Sequence, residues 1–100
     1  MSTRLLATMV AVTAMVCAPL AHADPPDAKY LAALSANGIQ GDPGQLVADG
    51  HSACDAYGGI GMTGFILGLR ARGMSAEQAG NLVADGIRAY CPEKGPWGPL

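Results

Sequence analysis

The sequence predicts a small all-α domain, a bundle of about four helices with one disulfide, after an N-terminal signal peptide. Apolar residues recur at helical spacing between residues that start or stop helices. No segment alternates apolar and polar residues between hairpin turns. The chain has 100 residues, which is enough for one domain. We predict three parts: residues 1–23 as the signal peptide, 24–92 as the helical domain and 93–100 as a Pro/Gly-rich tail.

The first 23 residues have the order of a secretory signal peptide. Arg4 precedes an apolar stretch over residues 5–18, and Ala-His-Ala at residues 21–23 matches the small-x-small pattern that signal peptidase cleaves. A membrane anchor is the alternative, but this stretch is at the short limit of a bilayer span. Cys17 lacks the small preceding residues of a lipid-attachment site. We therefore predict export by the general secretory route, to the cell envelope or the medium.

Two cysteines remain after the signal peptide, Cys54 and Cys91. An even count in an exported chain predicts a disulfide. It would close a loop of roughly 38 residues and stabilise the fold by about 4 kcal/mol. The sequence has no Cys-x-x-Cys and no nearby histidine pair, so we predict neither a redox site nor a metal site.

The first two helices are predicted from their start and stop residues. Asp27 is expected to cap a helix over residues 28–37, which Gly38 ends. Asp42 caps a second helix, and Pro43 takes its first position. Gly58-Gly59 ends it. Its apolar stripe consists of Leu46, Gly50, Ala53, Cys54 and Tyr57.

The other two helices follow the same logic. Thr63 is expected to open the third, and Gly73 to end it. Ser75 and Gln78 match a capping box for the fourth, which ends at Cys91-Pro92. The third stripe consists of Met62, Phe65, Ile66 and Leu69, and the fourth of Ala79, Leu82, Val83, Gly86, Ile87 and Tyr90.

The charges argue against nucleic acid and anionic lipid as partners. After residue 23 the chain carries five basic and eight acidic residues, a net charge near −3, with no run of Lys or Arg. Such a surface attracts polyanions poorly. We expect Asp49 and Asp85 to be solvated charges on the polar faces of their helices.

Residues 59–64 match the dinucleotide-binding pattern G-x-G-x-x-G by letter. That site needs a preceding strand, which aims the helix N-terminus at a pyrophosphate. A predicted helix precedes these residues instead. We interpret the segment as a loop between helices with an open surface.

No catalytic set is apparent, and we predict that the protein is not an enzyme. His51 is the one histidine after residue 23, and its neighbour Ser52 points about 100° away on a helix. Asp55 does not complete a triad with this pair.

Three tyrosines, Tyr30, Tyr57 and Tyr90, fall on apolar stripes, so core packing with the hydroxyl at the surface is favoured for each. His51 lies at the edge of the second stripe. The alternatives for His51 are a pH-sensitive contact or, with Tyr57 or Tyr90, an axial ligand for haem or a contact to another flat apolar ligand. Trp97, the one tryptophan, is expected to pack back on the bundle, and the alternative is an exposed anchor for a partner.

Four segments of the chain resemble a known family. They are Asp27-Ala-Lys-Tyr30-Leu31-Ala-Ala-Leu34 with Gly38-Ile39, Gly50-His-Ser-Ala-Cys54, Ala79-Gly-Asn-Leu-Val83, and Ala89-Tyr90-Cys91-Pro92. Over about residues 27–92 the chain resembles the small exported actinobacterial, chiefly mycobacterial, proteins grouped as a domain of unknown function (number 732). The resemblance implies an exported helical domain with a Cys54–Cys91 disulfide. It carries over no catalytic residue and no cofactor.

The favoured hypothesis is a non-enzymatic exported domain that acts through protein contacts in the cell envelope or outside the cell. Its candidate contact surface is Trp97 together with Ile60 and Met62 of the Gly-rich loop. The alternative is a carrier of a small apolar ligand, such as haem or lipid, held between amphipathic helices near His51 and Tyr57. We expect no cofactor, no nucleic acid and no transmembrane anchor after signal cleavage. The sequence leaves the partner and the oligomeric state open.

Overall fold

The computed structural model of the protein describes residues 25–100, so the predicted signal peptide, its cleavage site and Cys17 lie outside the described residues. Residues 25–100 form four α-helices and contain no strand, which confirms the predicted fold class. The helices are α1 (Pro25–Ala36), α2 (Pro43–Ala56), α3 (Gly61–Ala71) and α4 (Ala76–Tyr90). A short 3-10 turn, Pro92–Lys94, follows α4.

The predicted caps of α2 and α4 are confirmed. The Asp42 carboxylate accepts a hydrogen bond of 2.9 Å from the Gln45 backbone N–H, and Pro43 lies in the first turn. In α4 the capping is reciprocal. The Gln78 backbone N–H donates to Ser75 Oγ, and the Ser75 backbone N–H donates to Gln78 Oε1, each over 3.0 Å. These bonds satisfy N–H groups that a helix start leaves without an internal partner.

The helix α1 begins three residues earlier than predicted. It starts at Pro25 instead of residue 28, because a proline in the first helical turn loses no hydrogen bond and has a suitable φ. Asp27 therefore lies inside the first turn and is not the cap.

The helix α3 also begins earlier than predicted, at Gly61 instead of Thr63. Ile60 is its N-cap, with helical φ and ψ and no side-chain hydrogen bond to the helix. The predicted ends hold. Gly38, Gly58 and Gly73 have φ of 74°, 79° and 103°, a left-handed region that favours glycine.

Two apolar clusters form the core, and α4 contributes to both. This helix packs against α1, α2 and α3, most extensively against α2. The first cluster contains Tyr30, Leu34, Ile39, Leu46, Leu69, Ala79 and Leu82. The second contains Ala53, Cys54, Val83, Ile87 and Cys91.

The backbones of α2 and α4 meet at two glycines. A Cβ at Gly86 would lie 2.9 Å from the Cα and the carbonyl oxygen of Gly50. A Cβ at Gly50 would lie 2.8 Å from ring atoms of Tyr30 and Tyr90. Neither position has room for a side chain, so these glycines set how closely the two helices pack.

The predicted disulfide is present and joins α2 to the end of α4. Cys54 and Cys91 are bonded, with their Cα atoms 6.1 Å apart. Both residues are buried in the second cluster. Next to the bond, the Lys94 ammonium donates to the Cys54 carbonyl over 3.2 Å, which ties the 3-10 turn to α2.

Candidate interaction surface

Three large hydrophobic side chains are exposed in the part of the chain that the structure describes. Ile60 is fully exposed, Leu67 is 59% exposed and Trp97 is 45% exposed. Isolated apolar residues are common on protein surfaces. Here, however, two of the three belong to one short helix and its cap.

The inner and outer faces of α3 are both apolar. Leu69 is buried, and Met62, Phe65 and Ile66 are half-buried against the core clusters. The outer face presents Leu67 together with Gly64 and Gly68, which are both exposed. A Cβ at either glycine would meet nothing within 4 Å. A helix that is apolar all round usually packs on both sides.

Ile60 and Met62, the loop residues predicted to form a contact surface, are placed differently. Ile60 projects fully into solvent, whereas Met62 packs against the cluster around the disulfide. Leu67, Gly64 and Gly68 were not predicted as surface candidates. The sequence does contain an indication that Leu67 is exposed, because this apolar residue lies outside the predicted apolar stripe of the third helix, one turn after Gly64.

Trp97 is partly packed on the bundle and partly exposed, so each of the two predicted alternatives holds in part. Its ring packs edge-on against Tyr57, with ring centroids 5.9 Å apart, but 45% of the residue is exposed. Arg88 holds the segment, because its guanidinium donates to the carbonyls of Gly98 and Pro99 over 3.3 Å each. The tail therefore folds back over α4 and leaves part of the indole at the surface.

The stretch of sequence that contains α3 carries basic residues and no acidic ones. Residues 56–76 contain no Asp or Glu, whereas Arg70 and Arg72 both lie in this stretch. The chain as a whole has a net charge of −2, so its acidic groups lie elsewhere in the sequence. Arg70 is exposed in the last turn of α3, whereas the Arg72 guanidinium pairs with Asp49 of α2.

Asp49 does not lie on a solvated face, so this prediction is wrong. It is only 5% exposed and accepts two hydrogen bonds from the Arg72 guanidinium, over 2.9 and 2.7 Å. The Gln45 side-chain amide donates a third over 3.1 Å. Burial of this carboxylate is possible because a bidentate arginine and an amide replace its water. These hydrogen bonds also raise the pKa of the Arg72 guanidinium.

Asp85 is also buried, at 6% exposure, and the prediction of a solvated charge is wrong here too. It accepts one hydrogen bond of 3.0 Å from the Asn37 side-chain amide. Burial raises the pKa of its carboxyl, and the bond from Asn37 opposes this change. Asn37 lies in the turn after α1 and Asp85 lies in α4, 48 residues away, so their contact could not be found from sequence spacing.

The Tyr30 hydroxyl is buried, which corrects the expectation that it reaches the surface. It donates to the Leu46 carbonyl over 2.6 Å, inside the first cluster. Burial, reinforced by the negative charge of Asp49, raises the pKa of this phenol well above its usual value. The group is neutral and structural.

His51 is exposed and stacks on Tyr90, with ring centroids 3.9 Å apart. The Tyr90 hydroxyl in turn donates to the Asp27 carboxylate of α1. Tyr57 is engaged by Trp97. The structure does not bring the two candidate ligand contacts, His51 and Tyr57, to a common cavity.

Two grooves lined partly by apolar side chains are candidate ligand sites, and a third, of about 490 Å³, is lined mainly by polar residues, among them Asn37, Ser75 and Asn81. The first, of about 430 Å³, lies between the α1–α2 loop and the α3–α4 turn. Its lining combines apolar and polar residues, among them Ile39, Leu46, Met74, Arg72, Gln45 and Gln78. The smaller, of about 190 Å³, is lined by Pro25, Pro26, Ala89, Pro92, Pro99 and Leu100 with Lys29 and Arg88. Neither contains His51 or Tyr57.

The segment that matches G-x-G-x-x-G spans the end of the α2–α3 turn and the first turn of α3. Its interpretation as a loop between helices holds only for Gly59 and Ile60, because residues 61–64 are helical. No strand precedes the segment among residues 25–100. In the same range, no three His, Cys, Asp or Glu side chains are grouped so that they could hold a metal ion. None of the helices in the described part of the chain is long and apolar enough to cross a membrane.

Fold and surface together define a small disulfide-linked four-helix domain. The chain belongs to the family described as "Protein of unknown function (DUF732)", whose model matches residues 26–93. It is similar to "Uncharacterized protein Mb1323c" of Mycobacterium bovis and "Uncharacterized protein MT1330" of Mycobacterium tuberculosis. Each is 33% identical over 94 residues, which cover 91% of this chain and 85% of the relative. No solved structure matches the chain.

Proposed function

We propose that this protein is an exported, non-enzymatic domain that acts through protein contacts in the cell envelope or outside the cell. The observation that carries the proposal is the exposure of Ile60, Leu67 and Trp97. Exposed aliphatic and aromatic side chains are the usual anchors of protein interfaces.

Export is supported by two features of the chain. The N-terminal residues have the order of a signal peptide. The Cys54–Cys91 disulfide is the kind of bond that persists in oxidising compartments and is rare in the cytosol. The signal peptide would be removed before the domain acts.

A non-enzymatic role is supported by how the polar residues are used. Asp49 and Asp85 are held by Arg72 and Asn37, and the His51 ring stacks on Tyr90. These groups stabilise contacts between helices. They do not converge on a shared cavity where a substrate could bind.

Site-specific photo-crosslinking tests the proposal. A photoreactive amino acid replaces Leu67 in the full chain, produced in its own cell, and a second chain carries it at Glu77, an exposed polar position of α4. We expect a defined crosslinked product from position 67 and none from position 77. Added wild-type protein should compete for this product, and Leu67→Asp protein should not. Equal products from both positions, or none from either, would refute the proposal.

The carrier hypothesis remains as a second candidate, because the groove of about 430 Å³ falls within the volume range of small-molecule pockets. Its lining includes the apolar side chains of Ile39, Leu46 and Met74. Haem titration of the purified protein tests it. A visible absorption band that is lost in His51→Ala or Tyr57→Phe would support a haem carrier. We expect no such band, since His51 and Tyr57 lie outside the groove.

A further inference from the structure

We propose that the outer stripe of α3 pairs in antiparallel orientation with the same stripe of a second copy, which makes the protein a weak two-fold dimer. The inference rests on the proposed function, since it names a partner for part of the same surface. We define the outer stripe as Ile60, Gly64, Leu67 and Ala71, which are all exposed. Trp97 stays outside this contact.

The stripe is continuous along the helix. Its residues are separated by steps of four, three and four, and at 100° per residue they fall within an arc of about 60°. This spacing is that of a helix–helix seam. The opposite face of α3, which includes Leu69, already packs against the core. The outer stripe is therefore a second seam with no partner among the residues described.

Large and small side chains alternate along the stripe in a self-complementary order. In an antiparallel pair where facing residue numbers sum to 131, Leu67 of each copy faces Gly64 of the other. Ile60 then faces Ala71. Each large side chain enters the space left by a small one, as knobs enter holes. A parallel pair in register would place Leu67 on Leu67 and Gly64 on Gly64, so the sequence favours the antiparallel, two-fold arrangement.

The glycines of the outer face have no packing reason within a single chain. A Cβ at Gly64 or at the flanking Gly68 would meet nothing within 4 Å. Glycine is less favourable than alanine inside a helix, so both positions destabilise the isolated helix. A second helix backbone close to this face would make use of both glycines.

The charge distribution favours self-contact at this helix. Two copies of an acidic chain repel each other, and facing carboxylates would add to the repulsion. Residues 56–76 carry no Asp or Glu, so α3 can meet its counterpart without bringing acidic groups from this stretch together. In the antiparallel arrangement the Arg70 side chains lie at opposite ends of the contact.

The size of the contact sets its strength. α3 has 11 residues and is about 16 Å long, so a single pair of such helices buries less than the roughly 1,200 Å² of a stable interface. We therefore expect a dimer that is populated at tens to hundreds of micromolar and dissociates on dilution.

Sedimentation equilibrium of residues 24–100, with the disulfide intact, tests the proposal between about 5 μM and 2 mM. The average mass of the wild-type protein should rise toward two chains. Leu67→Asp should weaken association at least tenfold. Gly64→Leu should do the same, because it fills the hole that receives Leu67.

Gly80→Leu is the matched control for Gly64→Leu. Gly80 is also an exposed helical glycine, and a Cβ there meets nothing within 4 Å, but it lies on α4. Both variants should fold, as judged by circular dichroism, and Gly80→Leu should associate like the wild type. Equal loss in both variants would contradict the proposal.

The orientation is tested separately with a spin label on an Arg70→Cys variant. In the antiparallel register position 70 faces position 61, so the two labels are offset by about 13 Å along the helix axes. Labels in direct contact would indicate a parallel pair and refute the register.

The remaining outcomes separate this inference from the proposed function. A wild-type chain that stays monomeric at 2 mM overturns the dimer. If position 67 then crosslinks to a different protein, the proposed function stands with another partner. If the monomer instead binds vesicles of phosphatidylglycerol through Leu67, the stripe is a lipid contact and both proposals fail.

Discussion

At the scale of single residues, the polar groups that bridge helices are the part of the structure least accessible to sequence reasoning. Helical periodicity assigns a residue to a face, and it placed Asp49 and Asp85 opposite the apolar stripes. In the fold the two carboxylates are bound by Arg72 and Asn37, which lie just after the ends of α3 and α1, 23 and 48 residues away in the sequence. A bidentate partner makes burial of a carboxylate tolerable, but no local sequence pattern shows which arginine will bind it in the fold.

The pair of Arg72 and Asp49 can be tested by removal of the arginine. Arg72→Ala should lower the free energy of unfolding by about 1–3 kcal/mol, because the buried Asp49 carboxylate keeps only Gln45 as a partner. Arg70→Ala is the control, an exposed arginine two residues earlier in the last turn of α3, and should change stability by less than about 0.5 kcal/mol. Urea unfolding of both variants measures the difference. Equal effects would mean that the pair contributes nothing specific.

Asp85 should make stability depend on pH. Burial raises the pKa of its carboxyl above the unfolded value, so the folded state binds the proton more tightly. The contribution of Asp85 to stability is then greatest below the unfolded pKa and falls as the pH rises through the folded pKa. Asp85→Asn should therefore be more stable than the wild type at pH 7, and this advantage should shrink toward pH 3. Thermal unfolding across this range measures it, and an advantage that grows on acidification would contradict the assignment.

At the scale of helices, capping and stop residues can be predicted from the sequence. A helix start that has no capping side chain cannot. Asp42 and the Ser75–Gln78 box have a local mechanism that does not depend on the rest of the fold. The start of α3 has no capping side chain, since Ile60 is its N-cap, so its position follows from packing. The exposed outer face of α3 does not follow from helical periodicity, because Gly64 and Gly68 carry no side chain that would mark a second apolar stripe.

The contact of α2 with α4 leads to a prediction about two glycines on the same helix. Gly86→Ala should destabilise the protein by about 1–3 kcal/mol, because its Cβ would lie 2.9 Å from the Gly50 backbone, which cannot move aside. Gly80→Ala should stabilise it by about 0.5–1 kcal/mol, since its Cβ meets open space and alanine favours the helix. Thermal unfolding of both variants, compared with the wild type, measures the two changes in stability. The same sign for both changes would show that the helices can move apart.

At the scale of the whole molecule, the disulfide joins α2 to the end of α4 inside the second apolar cluster. Replacing both Cys54 and Cys91 by Ala should lower the free energy of unfolding by about 2–5 kcal/mol, as is usual for a small secreted domain. Denaturant titration of the oxidised wild type and the double variant measures this. A midpoint that barely moves would show that the helices hold together without the bond.

Export and cleavage are also properties of the whole chain. The intact mass of the protein from its own cell and medium should equal residues 24–100 less two hydrogens, which reports cleavage after Ala23 and the Cys54–Cys91 bond together. Native mass spectrometry of the same sample would show an additional mass if a ligand is carried. A chain that still contains residues 1–23 would contradict export with cleavage.

The tail brings the two ends of the domain together. Pro25 and Pro26, at the start of α1, line the same small groove as Pro99 and Leu100. The Leu100 backbone N–H also donates to the Arg88 carbonyl over 3.4 Å. Residues 25 and 100 therefore lie near one another, and a short linker could join them. Such a circularly permuted chain, with new ends in the exposed turn at Gly58 and Gly59, would begin with α3 and keep the cores and the disulfide.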